Sequence, residues 1–155
     1  MQTNTDALSV ILDMSGAGIA HINANHDFTM VNKNLCEMLG YSRDELLKLS
    51  PSDINHPLDR HREMTQFLSF SKGLGFYYRS VTRLIRKNGE TIWAEIDAIH
   101  TRDEDGGDTG GIGIIRNVTK SCDSQLCVIS RKTEKIIENL SPRESEIFLN
   151  LTKGL

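Results

Sequence analysis

The tightest constraint on this chain is the stretch 76–119, FYYRSVTRLIRKNGETIWAEIDAIHTRDEDGGDTGGIGIIRNVT. Two turn signals cut it into three runs. Lys87-Asn88-Gly89 contains an Asn-Gly step, which tolerates the positive φ of a tight hairpin. The segment from Arg102 to Gly111 is acidic and glycine-rich, has no side-chain face to bury, and is expected to form an exposed loop. Between the turns, Ile92, Ala94, Ile96 and Ala98 alternate with Trp93, Glu95, Asp97 and Ile99. That period of two marks a strand with one small-apolar face and one mixed face. The stretch reads as a three-stranded antiparallel meander, and both of its faces need cover.

A length of 155 residues suits one domain with a short appendage. The net charge is −3, with 12 basic against 16 acidic residues up to Thr119 and 6 against 5 beyond it. Neither part carries the basic footprint of a nucleic-acid binder. Cys36, Cys122 and Cys127 have no paired spacing, which speaks against a disulfide framework or a zinc site. The N-terminal MQTNTDALSV lacks a basic flank and a long apolar core, so no signal peptide is read there. No run of about 18 apolar residues exists to span a membrane. The expectation is a cytoplasmic, soluble chain.

Ahead of the meander, residues 6–14 read as a short helix with Leu8, Ile11 and Leu12 on one side, broken by Ser15-Gly16-Ala17-Gly18. Ile19 to Asn23 and Phe28 to Asn32 read as strands joined by a polar loop, Ala24-Asn25-His26-Asp27. A helix with Leu35, Met38 and Leu39 on one face ends at Gly40, where a left-handed residue is wanted. Ser42 to Glu45 has capping-box spacing. Pro51 and His56-Pro57 read as loop, and Leu58 opens a longer helix. Its spacing turns Leu58, His61, Met64/Thr65 and Leu68 inward. Two strands, a helical interlude and a three-strand meander predict an α+β fold, a five-stranded antiparallel sheet with helices on one face.

GIAHIN, FTMVNKNLCEMLGYSRDEL, HPLDR, RKNGETIWAEI and GGIGIIRNVT, in this order, resemble the PAS domain of the sensory-box kind from about Leu8 to Thr119. The resemblance implies a small pocket between the sheet and the interlude helices. It also implies an opposite sheet face covered by the N-terminal helix or by a second subunit. The candidate pocket comprises His61, Met64, Phe67 and Leu68 from the long helix and Ile92, Ala94, Ile96 and Ala98 from the central strand. The last strand offers either Gly111, Gly113 and Ile115 or Ile112 and Ile114, because both its sides are apolar; Ile112 and Ile114 are taken as candidates. Such a wall suits a small apolar or weakly polar ligand. Trp93 is expected on a face covered in a dimer or by the first helix and is a candidate dimer-face residue, with Arg83 and Ile85 opposite and Arg83 placed for a cation–π contact.

Haem-sensing PAS domains ligate iron with a histidine on the long helix, which makes His61 the haem candidate. Ungapped counting back from Arg86-Lys87-Asn88-Gly89 disfavours it, placing the family's histidine at Arg60. Cys36 lies in an ordinary PAS pattern and not in a flavin-adduct motif. No cofactor is identified. The remaining histidines show no ligand spacing, Gly106-Gly107-Asp108 reads as a solvated turn, and no nucleophile elbow or phosphate loop appears. An enzyme is not expected.

In such domains the final strand usually ends in an Asp-hydrophobic-Thr motif. Here it is Asn117-Val118-Thr119, the expected signal relay, with its charge-assisted bond replaced by a weaker neutral one. Beyond it, Cys122, Leu126, Ile129, Thr133, Ile136 and Leu140 make a heptad seam able to extend a homodimer. LSPRESEIFLNLTKGL resembles the opening of the helix-turn-helix domain of LuxR-type transcription regulators. The sequence stops before that family's recognition helix, so these residues alone are expected not to bind DNA specifically. The expected organisation is a capping helix (1–14), a PAS sensor (15–119), a signalling helix (120–139) and the start of a helix-turn-helix (140–155).

Overall fold

The computed structural model describes residues 10–72, 77–120 and 141. The chain divides into two compact units, residues 1–120 and 121–155. The heptad seam, with Leu126, Ile129 and Ile136, and the helix-turn-helix segment lie outside the described residues, as does the first part of the expected N-terminal helix. Residues 10–14 of that helix are helical.

The first unit holds five strands: β1 (Gly18–Ile22), β2 (Phe28–Val31), β3 (Tyr77–Ile85), β4 (Thr91–Arg102) and β5 (Asp108–Asn117). Between β2 and β3 run four helices: α1 (Lys33–Leu39), α2 (Arg43–Leu46), α3 (Pro51–Ile54) and α4 (Pro57–Ser71). The strands form one antiparallel sheet in the order β2-β1-β5-β4-β3. This is the α+β architecture expected from the pattern. Two elements differ from that reading. Pro51–Ile54 is a helical turn, because Asp53 reaches back to the Ser50 amide at 2.7 Å in a second capping box. The acidic loop shrinks to five residues between β4 and β5, since Asp103 Oδ1 accepts the Gly107 amide and folds the chain back early.

Asn32 ties the first strands to the helices. Its Oδ1 accepts the Leu35 amide (3.0 Å) as N-cap of α1 and the Ile19 amide (2.8 Å) of β1, while its Nδ2 donates to Ala17 O (3.0 Å). Gly40 ends α1 at φ 77°, as its position in the sequence requires. Two carbonyls left over at that end are taken by the β3–β4 hairpin. The Lys87 amide donates to Leu39 O (2.9 Å) and Arg86 Nε to Met38 O (2.8 Å). In the hairpin itself the positive φ falls on Gly89 (87°), and Gly89 N donates to Arg86 O.

Leu35, Leu39, Leu46, Ile54, Leu84, Ile92 and Ala94 pack into one core against the inner sheet face. Each large apolar side chain there contributes roughly 1.5–3 kcal/mol of burial. Gly110, at φ 108°, lies so close to β1 that an added Cβ would stand 1.9 Å from Ile22 O. Only glycine lets β5 approach β1 here.

The long helix turns a different face inward from the one its apolar spacing predicts. Leu58 and Leu68 are exposed, as are His61 and Thr65, and Asp59 and Glu63 are buried instead. The cause lies on the facing strand, which presents Tyr78, Ser80, Thr82 and Arg83 to α4 and needs carboxylates opposite them. With Phe67, the inward residues are spaced by four.

Candidate functional site

The inner sheet face, α1, α3 and α4 enclose a cavity of about 110 Å³. Its floor is the sheet: Ala20 and Ile22 of β1, Ile96 and Ala98 of β4, and Gly111, Gly113 and Ile115 of β5. Ile54, Asn55, Glu63 and Phe67 face the floor from the helical side, and Tyr78 closes the β3 end. His26, in the β1–β2 turn, completes the wall with its ring 4.2 Å from that of Phe67.

Of the expected pocket residues, Phe67, Ile96 and Ala98 line this cavity. Ile92 and Ala94 share their face but sit in the solid core beside it. Ile112 and Ile114 are corrected: both are about one-third exposed on the opposite sheet face. Register decides the phase, because Ile96 pairs with Ile115 and Ala98 with Gly113, and cross-strand partners share a face. His61, Met64 and Leu68 are corrected too, since none lines the cavity once α4 buries its carboxylate stripe. His61 is exposed and is not placed to ligate a haem held there.

Sequence reasoning missed four polar members of the wall. Glu63 is the most elaborately held: Oε1 accepts from Arg62 Nη2 (2.9 Å) and Ser80 Oγ (2.9 Å), and Oε2 from the Tyr78 hydroxyl. Burial, then the Glu63 charge, pushes the Tyr78 hydroxyl well above its ordinary range, so it stays protonated and donates. His26 takes a positive φ (68°), which is uncommon outside glycine and has no clear signature in the sequence. Burial lowers its pKa against the opposing pull of Asp27, and the ring is neutral near pH 7. Asn55 is 4% exposed. The Asp59, Glu63, Phe67 spacing opposite a polar strand was the sequence signal that could have located this side of the wall.

Beside the cavity, α4 seals the edge of β3. Asp59 Oδ2 accepts the Arg83 amide (3.0 Å) and Arg83 Nε (2.9 Å), and Oδ1 accepts Arg83 Nη2 (2.8 Å). Burial alone would raise the Asp59 pKa, but the Arg83 hydrogen bonds overcome it and hold the carboxyl below its usual range. Arg62 Nη2 donates to Val81 O (3.1 Å), and the His56 amide to Arg83 O (3.0 Å).

On the outer face, the Arg83 guanidinium lies 5.5 Å from the centre of the Trp93 ring, as the pairing across the hairpin predicts. Trp93 is 8% exposed within the single chain, so no second subunit is needed to bury it. What remains open on this face is Tyr77, Ile99, Ile112 and Ile114 around Asp97. Asp97 accepts from Arg79 (2.6 Å), Arg116 (2.6 Å) and the Tyr77 hydroxyl, led by Arg79 in holding its carboxyl well below the usual range. At the end of β5 the Val118 amide donates to Trp93 O (2.9 Å), and Thr119 Oγ1 accepts the Trp93 amide (2.9 Å). Asn117 Oδ1 accepts the Thr119 amide (3.0 Å), a local turn bond within the relay and not the bond to a basic group on the sheet that the motif implies. Cys36, whose thiol burial pushes upward, does not line the cavity. Among the described residues no group of acidic, histidine or cysteine side chains is arranged to hold a metal, and no helix is long and apolar enough to cross a membrane.

A five-stranded antiparallel sheet with its cavity under a helical interlude defines a sensor-type α+β fold, and comparison gives it a family. The PAS domain family model matches residues 16–120, and the chain belongs to that family. A curated relative, the probable diguanylate cyclase DgcE of Escherichia coli (strain K12), is 28% identical over 95 residues. That match covers 61% of this chain and 9% of the relative, so the chain spans about a tenth of the relative's length. The PAS domain of a Colwellia psychrerythraea protein superposes with a TM-score of 0.68 at 19% identity, covering 77% of this chain and 99% of that one. The PAS domain of an HTR-like protein from Haloarcula marismortui gives 0.64 at 22% identity, covering 75% and 93%. At such identities these structures speak for the fold alone.

Proposed function

We propose that this chain is a cytoplasmic sensory module that takes up a small molecule in its cavity, forms a homodimer, and controls a LuxR-type helix-turn-helix in transcription regulation. One observation carries the sensing part. The strands that floor the cavity, β4 and β5, also hold the relay, since Trp93 of β4 binds both Val118 and Thr119. A molecule that changes the spacing of β4 and β5 therefore acts on the joint where the following segment begins. The regulatory part rests on the LSPRESEIFLNLTKGL resemblance, and DNA contact belongs to a complete helix-turn-helix of that kind. The role is relay and not catalysis. The cyclase relative matches over a stretch the length of a sensor module, so its named activity does not carry over.

The test is native mass spectrometry of the purified protein with hydrogen exchange at 117–120. A co-purifying small molecule whose removal changes exchange there supports the reading. Exchange that ignores cavity occupancy counts against it.

A further inference from the structure

The polar inventory of the cavity wall defines which ligand fits, and this inference rests on the sensory reading above. We infer that the cavity takes a neutral molecule of about benzene size that carries one hydrogen-bonding group, read by the Asn55 side chain. Size comes first. A dry engineered cavity of about 150 Å³ accommodates benzene, and this one is about 110 Å³. It admits a compact ring or branched aliphatic body and leaves no room for a haem or an isoalloxazine.

Charge comes second. The carboxylate in the wall, Glu63, already has both oxygens occupied, by Arg62 and Ser80 on one and by Tyr78 on the other. A cationic ligand would have to displace these partners. An anionic ligand would lie near Glu63 with no lysine or arginine among the described residues of the wall to offset it, and burying an uncompensated charge is costly. The rest of the wall is apolar apart from His26 and Asn55. Nothing there rewards a net charge.

Hydrogen bonding comes third. Asn55 is 4% exposed and lines the cavity, yet its side-chain amide makes no hydrogen bond with any described residue. An amide in the cavity wall without a protein partner is open to a ligand hydroxyl or carbonyl. Its backbone, by contrast, is fully engaged: the amide donates to Pro51 O and the carbonyl accepts from Arg60 Nε. The backbone fixes the residue and leaves the side chain for recognition.

The test uses the full chain and four probes: phenol, benzene, benzoate and benzylamine. Calorimetry should show phenol binding about three- to ten-fold tighter than benzene, the worth of one neutral hydrogen bond, with benzoate and benzylamine silent. Asn55→Leu should abolish the phenol advantage while benzene binding persists. Phenol should also shift the Asn55 side-chain amide resonance in the unmodified protein, a readout that does not depend on the variant folding. Benzoate or benzylamine binding as tightly as phenol, a phenol advantage that survives Asn55→Leu, or an unmoved Asn55 resonance in the phenol complex would each overturn the inference and leave a ligand-binding cavity standing. No binding of any probe by the folded protein would remove the sensory reading as well.

Discussion

Two arginine–carboxylate constellations grip the same sheet, and they differ in what surrounds them. At the β3 edge, Asp59 and Arg83 are each 6% exposed and joined by three hydrogen bonds. On the outer face, Asp97 gathers Arg79, Arg116 and Tyr77 at the surface. The partners are chemically alike and the bonds are of similar length. The difference teaches that bond count does not measure the contribution to folding. Removing one member of a buried pair strands a charge in low dielectric, whereas removing one member of an exposed cluster returns its partners to water.

Asp59→Ala is expected to give the largest effect, about 3–5 kcal/mol of lost stability in chemical denaturation, because the buried Arg83 loses its ion pair and three hydrogen bonds to Asp59. A loss no larger than that of a surface substitution would break the comparison.

Acid should act next. Both carboxyls have folded pKa values depressed below the unfolded value of about 3.9. Their stabilisation is therefore present above about pH 4 and is lost as pH falls through the lower folded values. Unfolding free energy measured from pH 5 downward should stay level at first and then decline. A profile that remains flat through pH 3 would show that neither pair contributes.

Asp97→Asn should cost only about 0.2–1 kcal/mol, and less at high salt. It should also make the acid decline shallower. An effect equal to that of Asp59→Ala would mean that the outer cluster is shielded in solution.

The smallest effect is expected from Asn117→Asp, which places a new carboxylate at the exposed end of β5. Its bond from the Thr119 amide becomes charge-assisted, roughly doubling in strength. Global stability should hardly move, while amide protection around Lys120 should rise. Unchanged protection there would show that the joint is set by Trp93 and not by Asn117.

The sequence revealed the sheet better than the site, for a physical reason. Ile92, Ala94, Ile96 and Ala98 form a uniformly apolar set that alternates with a mixed one containing Glu95 and Asp97, so the face of β4 was legible. In β5 both phases are apolar, and only pairing to β4 selects Gly111, Gly113 and Ile115. For α4, hydrophobic periodicity pointed the wrong way because the helix packs on a polar strand edge, where carboxylates and not leucines complement the partner. His26 reached the wall through a turn geometry that no spacing rule encodes.

The seal that α4 places on β3 also bears on how copies of the domain can meet. An open strand edge is a template for another chain's backbone. Here the His56 amide, the Asp59 carboxylate and the Arg62 guanidinium consume the outward carbonyls of Val81 and Arg83 and the outward amide of Arg83. At the far end, β2 offers a strand of only four residues. Growth of the sheet from one molecule into the next is blocked at Val81 and Arg83 on one side and stunted on the other. Where these groups are consumed, a neighbour's backbone finds no donor or acceptor, and any contact there must be made by side chains.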